Sequence, residues 1–301
     1  MNPPTDAPPR PRAVIVLFHP DDAAVAAVAA RSDEGLAPVV VVNAIAPSQA
    51  EMLRKLDVEV IENADNVGLA RAFNQGLERV FASGSAYAIL FDQDSRPPIG
   101  MALTLAGIAD AFQAAGGQLA CIGPVPVDRK RPNARTTARH ERDTPSGVPD
   151  AESVRTIISS GMVIPQAAYA AVGGMWDDLF IDQIDHEWCF RARAVGLTVL
   201  LATTVTMPHD MGDAGFTLFG RYKPIHRSPI RHFYIVRNTL WLARCSFIPR
   251  GWRIVEMAKL VLRGPSYVFF SRSRRATVTA LIRAIAAGLR SLPPKLCLPV
   301  A

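Results

Sequence analysis

The sequence has no run of about 18 uncharged apolar residues, so no membrane-spanning helix is expected. It has only four cysteines, at 121, 189, 245 and 297. Their wide spacing suits neither a zinc site nor a redox pair, and buried or free thiols in a reducing compartment are expected instead. The opening stretch MNPPTDAPPRPR is proline-rich and lacks an apolar h-region. Residues 1–12 are therefore expected to form a disordered tail, not a signal peptide. No internal repeat is visible. Acid is scarce in one place: residues 221–301 hold 16 Lys and Arg against a single acid, Glu256, a net +15. Residues 1–220 hold 17 basic and 26 acidic residues, a net −9. A basic end on an acidic body suits an anionic partner, whether phospholipid, lipid-linked phosphate or nucleic acid. No RNA- or DNA-binding motif accompanies it, so nucleic acid is not an expected partner.

Apolar segments alternate with helical ones through the first half. Runs at 13–18, 38–42, 58–61 and 86–91 read as buried strands, with helices between them. Successive βα units predict an α/β fold, a mostly parallel sheet flanked by helices, with ligand at the carboxyl ends of the strands. Those ends hold His19, Asn43, Asn63, Asp92 and Asp94. Asp65 and Asn66 are placed to cap a helix over 67–82, stopped by Ser83-Gly84. Further strands are expected at 119–122, 154–158, 162–164 and 197–201. The unpatterned stretch 124–151 reads as a long loop of a functional or disordered kind.

The chemistry-bearing residues cluster in a few stretches. In FDQDS, residues 91–95, two aspartates stand one apart at a strand end. Residues i and i+2 of a strand share a face, so the two carboxylates repel unless a cation joins them. Oxygen ligands of this kind favour Mg²⁺ or Mn²⁺, which complete their shell with substrate phosphates; a plain polar turn is the alternative. Arg71, Asn74 and Glu78 form a polar stripe on the 67–82 helix, and Arg71 lies near an N-terminus suited to a diphosphate. Asp185 falls at the start of a helix, where the dipole favours an ionised carboxylate. Glu187 and Arg191 can pair at i,i+4 on the surface. Trp188 is either core or a platform for a sugar ring. His209 is either a third metal ligand or a loop histidine. The stretch 225–238 interleaves cations, Arg227, Arg231 and Arg237 among them, with aromatics and suits a phosphate.

Taken in order, the runs at 66–76 (NVGLARAFNQG), 91–95 (FDQDS), 158–163 (ISSGMV), 179–191 (LFIDQIDHEWCFR), 209–212 (HDMG) and 226–238 (HRSPIRHFYIVRN) resemble family-2 inverting glycosyltransferases of the GT-A fold. The last three resemble bacterial rhamnosyltransferases in particular. The resemblance covers about residues 13–240 and implies a catalytic domain there. It implies that Asp92 and Asp94 border a metal–diphosphate site with Mg²⁺ or Mn²⁺, that Asp185 is the base, and that His209 contacts metal or diphosphate. It implies a nucleotide-sugar donor, dTDP-L-rhamnose, lying across His19, Asn43, Asn66, Arg71, Asn74 and Asp92. Trp188, Arg227, Arg231 and Arg237 are then candidate acceptor or phosphate contacts. The family's second strand commonly ends in Asp-Asn; here Val42-Asn43 stands there, so another donor, galactofuranosyl or UDP-hexose, stays open.

Residues 241–301 read as a C-terminal basic amphipathic helical extension. Two helices, 250–263 and 274–290, are expected, broken at Gly264-Pro265. Val278, Leu281, Ile282, Ile285 and Leu289 fall on one stripe flanked by arginines. A pair of this kind is expected to lie on an anionic membrane surface, near a lipid-linked glycan acceptor, placing the protein in the cytoplasm on the inner face of the cell membrane. Packing on the catalytic domain with the arginines in water is the alternative.

Overall fold

The apolar run near the start forms β1 (Arg12–Leu17), one residue earlier than the expected tail boundary. The computed structural model describes residues 10–128, 142–145, 147–209, 213–218, 221–225, 228–271 and 273–290; for 128, 142–145, 209, 213–218 and 221–225 it describes backbone alone. After β1 the chain runs α1 (Asp22–Asp33), β2 (Val39–Val42), α2 (Pro47–Arg54), β3 (Glu59–Glu62), α3 (Leu69–Ala82), β4 (Tyr87–Asp92) and α4 (Met101–Ala114). Asp21 caps α1, its Oδ1 accepting from the Ala24 amide at 2.8 Å. Then follow β5 (Leu119–Asp128), β6 (Arg142–Pro145), β7 (Ala151–Val154), β8 (Val163–Pro165), α5 (Gln166–Val172), a 3₁₀ turn (Asp177–Leu179) and α6 (Ile184–Ala194). The end of the chain forms β9 (Thr198–His209), a hairpin of β10 (Asp213–Leu218) and β11 (Arg221–Ile225), then α7 (Pro229–Leu242), α8 (Arg250–Phe270) and α9 (Arg274–Leu289).

Nine strands make one sheet in the order β3-β2-β1-β4-β8-β5-β9-β7-β6. The β3-β2-β1-β4 half is parallel, as is β5 with β9, whereas β8, β7 and β6 pair antiparallel. Both faces of the sheet are covered. Val14, Val16, Val39 and Val41 face α3 and α6 on one side; Ile15, Val40, Ile89 and Phe91 face α1 and α4 on the other. This double burial is why the strands read as continuous apolar runs. Strand order reverses at β1, which lies between β2 and β4, and in open α/β sheets the carboxyl ends of the strands at such a point are where a ligand crevice lies. Asp92 is in register with Val16 at that edge. The loop expected over 124–151 is in part strand, since β5 continues to Asp128 and β6 occupies 142–145.

The C-terminal helices differ from expectation in one respect. Helix α8 does not break at Gly264-Pro265 but passes through Pro265 to Phe270. Proline deletes one helical hydrogen bond and crowds the carbonyl four residues back. Here Pro265 is exposed, and the following turn is anchored by Tyr267, stacked on His232 of α7 at 4.4 Å. Among the described residues no helix is long and apolar enough to cross a membrane. Cys121, Cys189 and Cys245 are buried, and none forms a disulfide among the described residues.

Candidate active site

Four segments meet at the switch-point rim. The first is the end of β4. Asp92 is the last strand residue, and the chain turns immediately: the Ser95 amide donates to the Asp92 carbonyl, and the Asp92 amide donates to Ser95 Oγ, each at 3.0 Å. Asp94 therefore sits in a turn, not on a strand face, and the turn brings its carboxylate near Asp92. Gln93 ties the turn to β1 by accepting from the Phe18 amide at 2.9 Å. Ser95 and Ser160 share a hydrogen bond of 2.5 Å, which anchors the 158–162 loop beside β4.

Asp92 carries the strongest electrostatic signature. Its Oδ1 is buried and has no hydrogen-bond partner among the described residues. Burial, then the charges of Asp94 and Asp185, push its carboxyl up to about 7, with Arg231 offsetting part of the rise. A buried orphan oxygen beside a second carboxylate is a donor set that fits a divalent cation bound by oxygen. Among the described residues no group of three or more His, Cys, Asp or Glu forms a closed cage.

Asp185 is tuned the other way. It lies in the first turn of α6, and Oδ1 accepts from the His186 amide and from His186 Nδ1, each at 2.8 Å. Burial works to raise its pKa, but His186 and the Ser159 backbone outweigh it and hold the carboxyl below the usual range. The same contact raises His186, against the effect of its own burial.

The loop that delivers Asp185 is strained and braced. Phe180, Asp182 and Gln183 all have positive φ, at 63°, 65° and 67°, a conformation that costs ordinary residues roughly 1–3 kcal/mol each. Asn238 of α7 is fully buried and directs its amide at the carbonyls of Leu179, Ile181 and Asp182, each at 2.9 Å. Arg231 pairs with Asp182 at 2.9 Å, and Phe180 stacks on Tyr234 at 4.7 Å. On the opposite side the Phe180 carbonyl accepts from the Leu69 amide at 2.6 Å and the Ala70 amide at 3.3 Å.

That last contact corrects the sequence reading. Helix α3 begins at Leu69, not at 67, and its N-cap is Gly68, with no side-chain cap. Asn66 accepts only from the Gly68 amide, at 3.0 Å. The first amides of α3 are spent on Phe180, so this N-terminus does not offer them to a diphosphate. Arg71 is exposed on the first turn. Asn74 is committed within the protein: it donates to the Met175 carbonyl at 2.8 Å and accepts from the Met175 amide at 2.7 Å. Asn43, 2% exposed, belongs to a network with Asn63 and Gln75 and reaches the Gly68 carbonyl at 3.3 Å. Through these bonds both asparagines position α3.

Three further expectations change. Trp188 is fully buried, its Nε1 bonded to the Gly173 carbonyl at 2.9 Å, so it is core and not a sugar platform. Glu187 and Arg191 do pair, but as a buried bidentate bridge, 1% exposed at Glu187, that also holds the Gly174 carbonyl. Arg237 lies over the Trp241 ring at 4.2 Å and donates to the Asp178 carbonyl, which makes it a brace of the 177–183 loop. The His209 side chain and Arg227 lie outside the described residues. His19 is exposed at the end of β1 with φ 45°, its ring 4.4 Å from that of exposed Phe18. Such a pair can face a planar base.

Sequence reasoning missed Asp182, Asn238 and Ser160, and it missed the wall that α8 adds. Trp252 sits 5.7 Å from the Phe190 ring and 6.3 Å from that of His186. Asp182 and Asn238 fall inside the runs 179–191 and 226–238, but nothing in those runs marks them as partners across the loop.

No protein-family model matches the chain. The chain is 30% identical over 235 residues, 75% of its own length and 77% of the relative's, to the dTDP-rhamnosyl transferase RfbF of Shigella flexneri. Its fold is similar to that of GalNAc-T7, crystallised with UDP, GalNAc and Mn²⁺, at TM-score 0.52 and 15% identity over 77% of the chain. Residues 1–349 of S. aureus TarS, in complex with UDP-GlcNAc, match at TM-score 0.52 and 11% identity over 95% of the chain and 82% of that structure. The chain spans about half the length of the GalNAc-T7 structure.

Proposed function

Because the chain belongs to the glycosyltransferase family that includes the dTDP-rhamnosyl transferase RfbF, we propose that it moves L-rhamnose from dTDP-L-rhamnose to a hydroxyl of a lipid-linked glycan. Transfer proceeds with inversion at the inner face of the cell membrane. The observation that supports this reading best is the opposed tuning of two carboxylates at one rim. The Asp185 carboxyl is held below the usual carboxylate range, and burial with its neighbouring charges pushes that of Asp92 up to about 7.

Each residue then has a role. Asp92 and Asp94 would hold the Mg²⁺ or Mn²⁺. A divalent ion there supplies charge neutralisation and orientation of the leaving group. Arg231, close enough to Asp92 to depress its pKa, adds positive charge on the same side. Asp185 accepts the proton of the acceptor hydroxyl as that oxygen attacks the anomeric carbon from the face opposite the diphosphate. One C–O bond forms to the acceptor, the C–O bond to the diphosphate breaks, and dTDP departs without protonation. His186 keeps Asp185 ionised and fixes its orientation through the shared Oδ1. The exposed Phe18 and His19 rings face the base.

A second donor is favoured by one observation, the Val42-Asn43 end of β2 where the family commonly has Asp-Asn. The decisive experiment supplies purified protein and Mg²⁺ with dTDP-L-rhamnose, UDP-galactofuranose and UDP-hexoses, with a lipid-diphosphate glycan as acceptor, and follows nucleotide release. Fastest turnover is expected with dTDP-L-rhamnose, and Asp185→Asn should stop it while dTDP still binds. Preferential turnover of a UDP-sugar would replace the donor, and near-wild-type turnover by Asp185→Asn would remove the base.

A further inference from the structure

The faces of α8 and α9 that point inward are accounted for. Tyr267, Leu260, Leu281 and Ala284 close a small core with Val236 and Phe233 of α7. Gly288 lets α9 approach Leu240 so closely that an added Cβ would meet its side chain at 2.7 Å. A helix pair of this kind on a water-facing protein turns polar residues outward. These two do not. Ile254, Leu262 and Phe269, spaced along one side of α8, are 65–78% exposed, and Val278, Ile282 and Ile285 on α9 are 41–63% exposed. Leu281, which the sequence placed on the same stripe, is instead turned inward.

The exposed charges around these stripes are of one sign. Arg250, Arg263, Arg274, Arg275, Arg283 and Arg290 are all exposed. The only acid on the two helices, Glu256, is bridged to Lys259. We propose that the outward faces of α8 and α9 dock on the surface of an anionic phospholipid bilayer, the apolar stripes entering the headgroup boundary and the arginines pairing with lipid phosphates. Charge decides between this occupant and a second copy of the chain. A two-fold interface would set the same arginines against each other with one acid per copy to offset them. An anionic leaflet complements both the apolar and the cationic parts. The inference deepens the proposed function and rests on it in one point: α8 also carries Trp252 to α6, so a docked helix would hold a membrane-linked acceptor beside Asp185.

The test is flotation of the full chain with phosphatidylcholine vesicles and with vesicles containing phosphatidylglycerol. Wild type should float with the anionic vesicles at low salt, less so at high salt, and little with phosphatidylcholine alone. Leu262→Glu/Ile282→Glu and, separately, Arg274→Glu/Arg283→Glu should each lower the bound fraction by about tenfold or more. Unchanged thermal unfolding shows that each variant is folded. Absence of flotation at low salt overturns the proposal. So does a wild-type dimer that Leu262→Glu/Ile282→Glu converts to monomer while neither binds vesicles. A chain that floats but does not turn over dTDP-L-rhamnose refutes the donor reading and leaves this surface standing. One that turns it over and never floats does the reverse.

Discussion

Replacing Asp92 by asparagine should stabilise the protein at alkaline pH while abolishing the response to metal and donor. A carboxyl whose folded pKa lies above its unfolded value favours the fold only while protonated. Burial and the two neighbouring carboxylates raise Asp92 from 3.8 to about 7. The penalty is absent below about pH 4, grows from pH 4 to 7 and is complete above 7. A rise of that size corresponds to an upper bound of about 4 kcal/mol. Allowing for partial hydration, about 2–4 kcal/mol is expected at pH 8, or about 3–7 °C in melting temperature for a chain of this size.

Asparagine keeps the shape and removes the charge. Melting curves of wild type and Asp92→Asn, recorded in chelator from pH 4 to 8, should therefore diverge as pH rises, with the variant the more stable. Adding Mn²⁺ and dTDP should invert the order, because only the wild type gains a ligand. Cation binding must also displace the Asp92 proton, so the affinity for Mn²⁺ should fall as pH drops below about 7. A variant that melts below wild type at pH 8 in chelator, or a gap independent of pH, would refute the electrostatic account of this residue.

Two other perturbations probe the loop that carries Asp185. Asn238→Ala removes one amide from three carbonyls; a stability loss of about 1–3 kcal/mol in urea unfolding is expected, with kcat falling more than donor affinity. Asn238→Asp should be no better, since a carboxylate would face the same carbonyls, and full rescue by aspartate would contradict the assignment. Gly68→Ala places a Cβ 2.5 Å from the Phe180 ring at φ 85°, so a loss above about 1 kcal/mol is expected, together with reduced turnover as Phe180 shifts. Unchanged activity in a folded Gly68→Ala protein would show that the α3 contact does not position the loop.

The parts of this molecule that were legible in the sequence are those set by local pattern. Apolar runs gave away β1, β2 and β4 because both sheet faces are covered, and the carboxylates at the end of β4 stood out because two acids one residue apart repel unless a cation joins them. What escaped was set by partners far along the chain. The cap of α3 is a backbone carbonyl at Phe180, and backbone carbonyls carry no residue signature. The pairing of Glu187 with Arg191 is visible from i,i+4 spacing, but its burial follows from the Gly173-Gly174 turn folding over it. Asn238 looked like any polar residue in a cationic helix, since its three acceptors lie 56 to 59 positions away. Arg237 and Trp188 likewise take their places from distant backbone carbonyls, at Asp178 and Gly173.

The placement of these long-range partners bears on where the catalytic unit ends. The 177–183 loop holds three residues at positive φ, and a conformation that costs this much persists only when its surroundings over-determine it. Much of that determination comes from α7: Asn238 and Arg237 face the loop, and Arg231 pairs with Asp182. The other side of α7 is occupied by α9, through Leu240 against Gly288 and Trp241 Nε1 on the Ala287 carbonyl at 3.3 Å. A boundary near residue 240 would cut this helix two residues before its end at Leu242 and strip its outer face. The basic helices are then better regarded as the outer layer of the brace around Asp185 than as an appendage, and the surface they turn outward is coupled through one helix to the residue proposed as the base.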